Sequence, residues 1–255
     1  MTERNTDEAL NALHETGRIV AEALAAVRRE AEVGVPLHEL DDVARKILTE
    51  AGAESALLGN SLTARGLPYP ATLSTSVNDA IVYGIPDDYR LAEGDLLSVD
   101  CGAILDGWAA ASAFSMIVGV PGLEDQKLLE VTRTALEEGI SAAAPGGRLG
   151  DISHAIAETG RSSGYAIPEG IGGHATGRAL RDGPPVPNNG LPGSGPDLTP
   201  GMVFVISPVF LAGGQGTHVS TENAWTRRSE DGSRSAHFSH TVAVTEDGPR
   251  VLTAP

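Results

Sequence analysis

Gly34, Leu37, Leu40 and Gly52 recur at one constant offset as Gly146, Leu149, Ile152 and Gly164. A chain that repeats the stop, the inner face and the second stop of a helix at a fixed distance is constrained towards two similar halves. Four such common residue types can also coincide, so the repeat alone leaves duplication open. A longer helix precedes each copy. Residues 7 to 29 place Leu10, Leu13, Val20, Leu24 and Val27 on one stripe, and residues 123 to 143 do the same with Leu128, Leu129, Leu136 and Ile140. The repeated helices span about 37 to 51, with Leu40, Val43 and Ile47 inward, and about 149 to 160.

Strand candidates follow each helix pair: "AIVYGI", "DLLSVDCGAIL", "ASAFSMIVGV", "GMVFVISPVF" and "SAHFSHTVAV". Asp106-Gly107 joins the second and third as a tight hairpin. "DGPPVPNNGLPGSGPDLTP", residues 182 to 200, is dense in Pro and Gly and is expected to be a loop. The order predicts an α+β fold with mainly antiparallel pairing, one domain of two halves, about 7–120 and 121–253.

The 255 residues are 41% hydrophobic, enough to close this core without staples. One cysteine, Cys101, excludes a disulfide framework and a cysteine-rich zinc module, and points to the reducing cytoplasm. Cys101 itself reads as a small buried side chain. The start "MTERNTDEALNALHE" has no signal-peptide pattern, and no apolar run is long enough to span a bilayer. With 18 Lys and Arg against 34 Asp and Glu, the net charge is −16. Such a surface repels phosphate backbones and anionic lipid, so no nucleic acid and no membrane partner is expected. Whether the chain is a monomer or a homo-oligomer is not legible.

Chemistry-bearing residues gather in a few motifs. "GDLLSVDCGAILDGW" carries Asp100 on a strand that a hairpin returns past, so two in-register positions can aim at one point. With "SVNDAIVYGIPDD", "GGHATGRAL" around His174, "GMVFVISP" and "SAHFSHTVAVTEDGPRVLT", the pattern resembles the type I methionine aminopeptidases of the pita-bread fold, over about residues 14 to 253. Trp225 falls where that family has "GWT". The resemblance implies a curved, mainly antiparallel sheet in two pseudo-symmetric halves. It also implies two divalent ions held by two aspartates, a histidine and two glutamates.

Asp100 and His174 stand at two of those positions. Ala111, Ser207 and Ser239 stand at the other three. Four carboxylates offset two ions, whereas Asp100 alone would face four positive charges in a low-dielectric pocket. The sequence therefore predicts no metal and no cofactor, beyond the question of one weak ion on Asp100 and His174. Two further family histidines become Tyr83 and Arg181, a hydroxyl on an aromatic ring and a fixed cationic fork.

Three functions follow as expectations. The first is a metal-independent enzyme on a small amino-acid-like or peptidyl substrate. Its catalytic residues would be His174, Asp100 paired with it, and Tyr83; Arg181, Ser207, Ser239, His237 and Ala111 would bind substrate. The second is a non-catalytic pseudo-peptidase that grips a peptide or small molecule. The third is a methionine aminopeptidase. Ser207, Ser239, His174 and Asp100 include the residue types of a hydrolase triad, but no GxSxG elbow supports one. By strand alternation His237 shares the face of Ser239, and His240 lies on the other, structural, face.

Overall fold

The computed structural model describes residues 5–61 and 66–254. The chain begins with α1 (Asp7–Glu30), α2 (Leu37–Glu50), β1 (Glu54–Ser55), β2 (Leu73–Val77), β3 (Ala80–Val82), β4 (Leu96–Leu105) and β5 (Trp108–Ile117). It continues with α3 (Leu123–Ala142), α4 (Leu149–Ser162), β6 (Gly172–Ala175), β7 (Pro185–Pro187), β8 (Val203–Ile206) and β9 (Val209–Leu211), then β10 (His218–Ser220), β11 (Arg227–Ser229), β12 (Ser235–His237), β13 (His240–Thr245) and β14 (Gly248–Val251).

The helices form where the apolar stripes put them. Thr6 caps α1 by accepting from the Ala9 N–H, and Leu10, Leu13, Val20, Leu24 and Val27 are all buried. The stripe turns slightly in α2, where Ala44 and Leu48 are buried while Val43 and Ile47 only border the core. The four repeated glycines all take left-handed backbone, with φ of 91° at Gly34, 86° at Gly146, 71° at Gly52 and 81° at Gly164. That conformation strains residues with a Cβ, which explains why glycine closes each repeated segment.

Every ladder between the described strands is antiparallel. One sheet runs β1-β4-β2 with β5 also on β4, and another runs β14-β13-β8-β6-β7. Two smaller ladders, β10-β11-β3 and β12-β9, close the space between them. In the hairpin Asp106 and Gly107 have φ of 50° and 76°, so Leu105 pairs with Trp108 and the strand starts three residues before "ASAFSMIVGV". The helices pack on these sheets over one large apolar cluster. Buried Asp41 of α2 clamps the start of β2, its carboxylate accepting the N–H groups of Thr72 and Leu73 at 2.8 and 2.7 Å. No helix among the described residues is long and apolar enough to cross a membrane.

Three segments differ from their sequence reading. "GMVFVISPVF" is two strands, because Ser207-Pro208 interrupts it and proline has no N–H for a ladder. "SAHFSHTVAV" breaks at Phe238-Ser239, so β12 pairs with β9 and β13 with β8. The expected loop 182–200 contains β7, which pairs with β6 although two of its three residues are proline; it lies at the sheet edge, where missing donors are tolerated.

Candidate functional site

A cavity of 720 Å³ lies where β4, β5, β6 and the β8–β9 break converge, roofed by residues 167–173 and bordered by residues 185–189. Seven of the candidate residues line it: Tyr83, Asp100, Ala111, His174, Arg181, Ser207 and Ser239. Their convergence follows from register. Asp100 pairs with Ala113 across the β4–β5 hairpin, and Ala113 in turn bridges to Ser239 in the kink between β12 and β13. Thr241 ties the same edge down, donating to Ala111 O at 2.7 Å and accepting from Ala111 N at 3.0 Å. His174 sits on β6 opposite Val205 of β8, one strand from the break that carries Ser207.

Asp100 does not pair with His174. Its Oδ2 accepts from Nε2 of His237 at 2.9 Å, and His237 is fully buried behind it. The alternation that set His237 beside Ser239 fails because the strand breaks between them. His237 is therefore no substrate contact; it orients Asp100. A carboxylate accepts only, so His237 Nε2 carries the hydrogen, and its Nδ1 is buried without a partner. Nothing in the spacing of Asp100 and His237 announces their meeting, since it depends on that kink.

His174 is buried, and its Nδ1 lies 3.1 Å from Ala175 O. A carbonyl takes only a donor, so Nδ1 bears the hydrogen and Nε2 is left as an acceptor on the cavity. Burial, helped by the charge of Arg181, lowers the imidazole to about 4. His174 is thus neutral at physiological pH, with Nε2 free to accept a hydrogen bond. At the mouth, Arg181 Nη2 donates to the Tyr83 hydroxyl at 2.7 Å. Tyr83 itself has φ of 59°, its carbonyl accepts from Thr226 Oγ1 at 3.2 Å, and its ring meets Trp225 edge-on at 5.9 Å.

Ser207 is half-buried and Ser239 is buried. Neither is joined to His174, so no nucleophilic triad forms among the described residues. His240 lies outside the cavity, bonded through Nδ1 to Thr253 Oγ1 at 2.9 Å, and burial lowers its pKa. Buried Cys101 has its thiol pushed up to about 12, first by desolvation and then by Asp41 and Asp100, which makes it inert. Two residues were missed in the sequence. Asn188 and Ser74 line the cavity with buried side chains, and both amide atoms of Asn188 are without a partner among the described residues. Both lie in stretches without a motif; the only signal was an Asn pair after "PVP".

The donors available to a metal ion here are Asp100 and His174. Among the described residues no group of three or more His, Cys, Asp or Glu comes together for one. Two donors fall short of the three or four that usually hold an ion tightly, so these side chains alone do not make a dinuclear centre.

Comparison with known proteins gives a consistent answer along the whole chain. The profile of metallopeptidase family M24 matches residues 11–246. Methionine aminopeptidase 1 of Mycobacterium tuberculosis is 43% identical over 252 residues, covering 96% of this chain and 92% of that protein. A methionine aminopeptidase of Aquifex aeolicus is 41% identical and covers 94% of each. The crystal structure of methionine aminopeptidase from Thermotoga maritima superposes with a TM-score of 0.95 at 35% identity, over 100% of both chains. The pita-bread expectation holds. The metal-independent enzyme and the pseudo-peptidase do not: relatives this similar over their full length are methionine aminopeptidases in a metallopeptidase family. That expectation rested on Ala111, Ser207 and Ser239, and the similarity along the chain to methionine aminopeptidases overturns it.

Proposed function

Because the chain belongs to metallopeptidase family M24, we propose that it is an aminopeptidase that draws the free N-terminus of a peptide into the cavity and releases the first residue. Methionine is the residue its relatives are named for. One observation carries the reading on the side of this chain: Asp100, locked by His237 at 2.9 Å, presents a fixed carboxylate to the same cavity that the neutral His174 lines. A carboxylate so held accepts hydrogen bonds from a peptide's α-ammonium, and a neutral imidazole accepts a hydrogen bond at Nε2. Ser207 and Ser239 offer hydroxyls to the rest of the substrate. On the same reading the chain is one domain, with halves 7–120 and 121–253 sharing the cavity, and it works in the cytoplasm, which suits one buried cysteine.

The experiment is release of free methionine from Met-Ala-Ser, followed by mass spectrometry with and without added divalent cations. Release that falls at least tenfold in Asp100→Asn is expected. Intact peptide under every ion condition would overturn the proposal.

A further inference from the structure

The mouth of the cavity holds a second recognition element. Arg181 has no carboxylate within 4 Å among the described residues, although the chain has 34 Asp and Glu. Its recorded side-chain bond goes to Tyr83, whose hydroxyl oxygen accepts from Nη2 at 2.7 Å. A phenol that accepts in this way keeps its own hydrogen to donate, and Tyr83 has no acceptor for it among the described residues. The Tyr83 ring is fixed by Trp225 and its backbone by Thr226, so the free hydroxyl is presented in one place. A cationic fork and a pre-set hydroxyl donor, side by side on a cavity wall, match a carboxylate.

In the lining of the same cavity, Asn188 is 2% exposed with neither amide atom partnered. An unpaired buried amide is costly, and a peptide group supplies the one donor and one acceptor that complete it. The lining thus offers a carboxylate at Asp100, an amide at Asn188 and a cation with a donor at Arg181 and Tyr83. An ammonium, a peptide bond and a carboxylate are the groups that answer these three.

We propose that Arg181 and Tyr83 form a carboxylate site that selects short peptides carrying a carboxylate close behind the N-terminal residue. This rests on the reading that the cavity takes a peptide N-terminus. The carboxylate is either the C-terminus of a di- or tripeptide or an acidic side chain at the second position. Arg181 sets the preference through its charge, and Tyr83 refines its geometry.

Calorimetry in EDTA tests it with Met-Ala, Met-Ala amide, Met-Asp amide and N-acetyl-alanine. Met-Ala is expected to bind at least tenfold tighter than Met-Ala amide, with Arg181→Gln bringing the two level and Tyr83→Phe narrowing the gap about threefold. Exposed Arg181 can be exchanged without touching the core, and an unchanged Tm checks that. If Met-Asp amide matches Met-Ala, the site takes a side-chain carboxylate as well as a C-terminus; if it matches Met-Ala amide, it takes the C-terminus alone. If N-acetyl-alanine binds as well as Met-Ala and Arg181→Gln abolishes both, the carboxylate site stands and the N-terminus reading falls. Equal binding of Met-Ala and Met-Ala amide to the native protein, with Met-Asp amide no tighter, overturns the inference.

Discussion

The floor of the cavity and its mouth are built by opposite means. At the floor, Asp100 is held by a fully buried His237, and His174 by its own neighbour's carbonyl, on strands locked in register by backbone bonds. At the mouth, Arg181 is exposed and reaches one phenol. A buried, backbone-anchored group is expensive to alter and fixes where reacting atoms lie. An exposed cation on a flexible stem is cheap to alter and decides which substrates are preferred. Catalytic geometry and selectivity are therefore separable here, and substitutions at the two ends should differ in kind.

The largest effect belongs to the backbone under the floor. A Cβ on Gly173 would lie 1.9 Å from Val205 O, so Gly173→Ala must part β6 from β8. Chemical denaturation should show a loss on the order of 4 kcal/mol. An unchanged midpoint would mean that β6 is not held this closely.

Next is the pH dependence of the floor. His174 has an ordinary value of 6.5 and about 4 in the fold. Between these values the unfolded chain binds a proton that the folded chain refuses. Stability is therefore full above pH 6.5, declines as pH falls through that window, and stops declining on this account below 4. At 1.36 kcal/mol per pH unit the total is about 3 kcal/mol. Thermal melts in EDTA read it directly, and His174→Gln should flatten this part of the profile. An equally steep decline in that variant would assign it to other groups.

Asp100→Asn keeps the His237 bond and removes the charge, so Met-Ala-Ser binding should weaken by about 2 kcal/mol, roughly 30-fold, with little change in Tm. A loss of Tm without a loss of affinity would make Asp100 a structural acid. The smallest effect lies near the mouth. Ala224 has φ of 64° where the resembling family has glycine, so Ala224→Gly should stabilise by about 0.5–1 kcal/mol. Destabilisation would show that the Cβ of Ala224 is used in packing.

The helices were legible because an apolar stripe of period 3.6 survives any tertiary context; α1 to α4 begin where the stripes do. Strand interruptions were not. Ser207-Pro208 sits inside an apolar run and Phe238-Ser239 inside an alternating one, and both patterns record burial without recording where a ladder stops. The candidate site inherits this division. Seven of its residues reached the cavity because the ordered motifs carried their positions, whereas the Asp100–His237 bond depends on the Phe238-Ser239 kink, and Asn188 follows an edge strand that composition disguised as loop. The functional expectation went wrong at Ala111, Ser207 and Ser239, where side-chain identity was read without the weight of the surrounding scaffold.

The central claim is that a peptide's free amine meets Asp100. Calorimetry of Met-Ala-Ser against N-acetyl-Met-Ala-Ser tests it most directly, since acetylation removes the charge and leaves the rest of the peptide in place. The free amine should bind at least tenfold tighter to the native protein, with the difference gone in Asp100→Asn. Equal affinity of the two peptides for the native protein would contradict the claim.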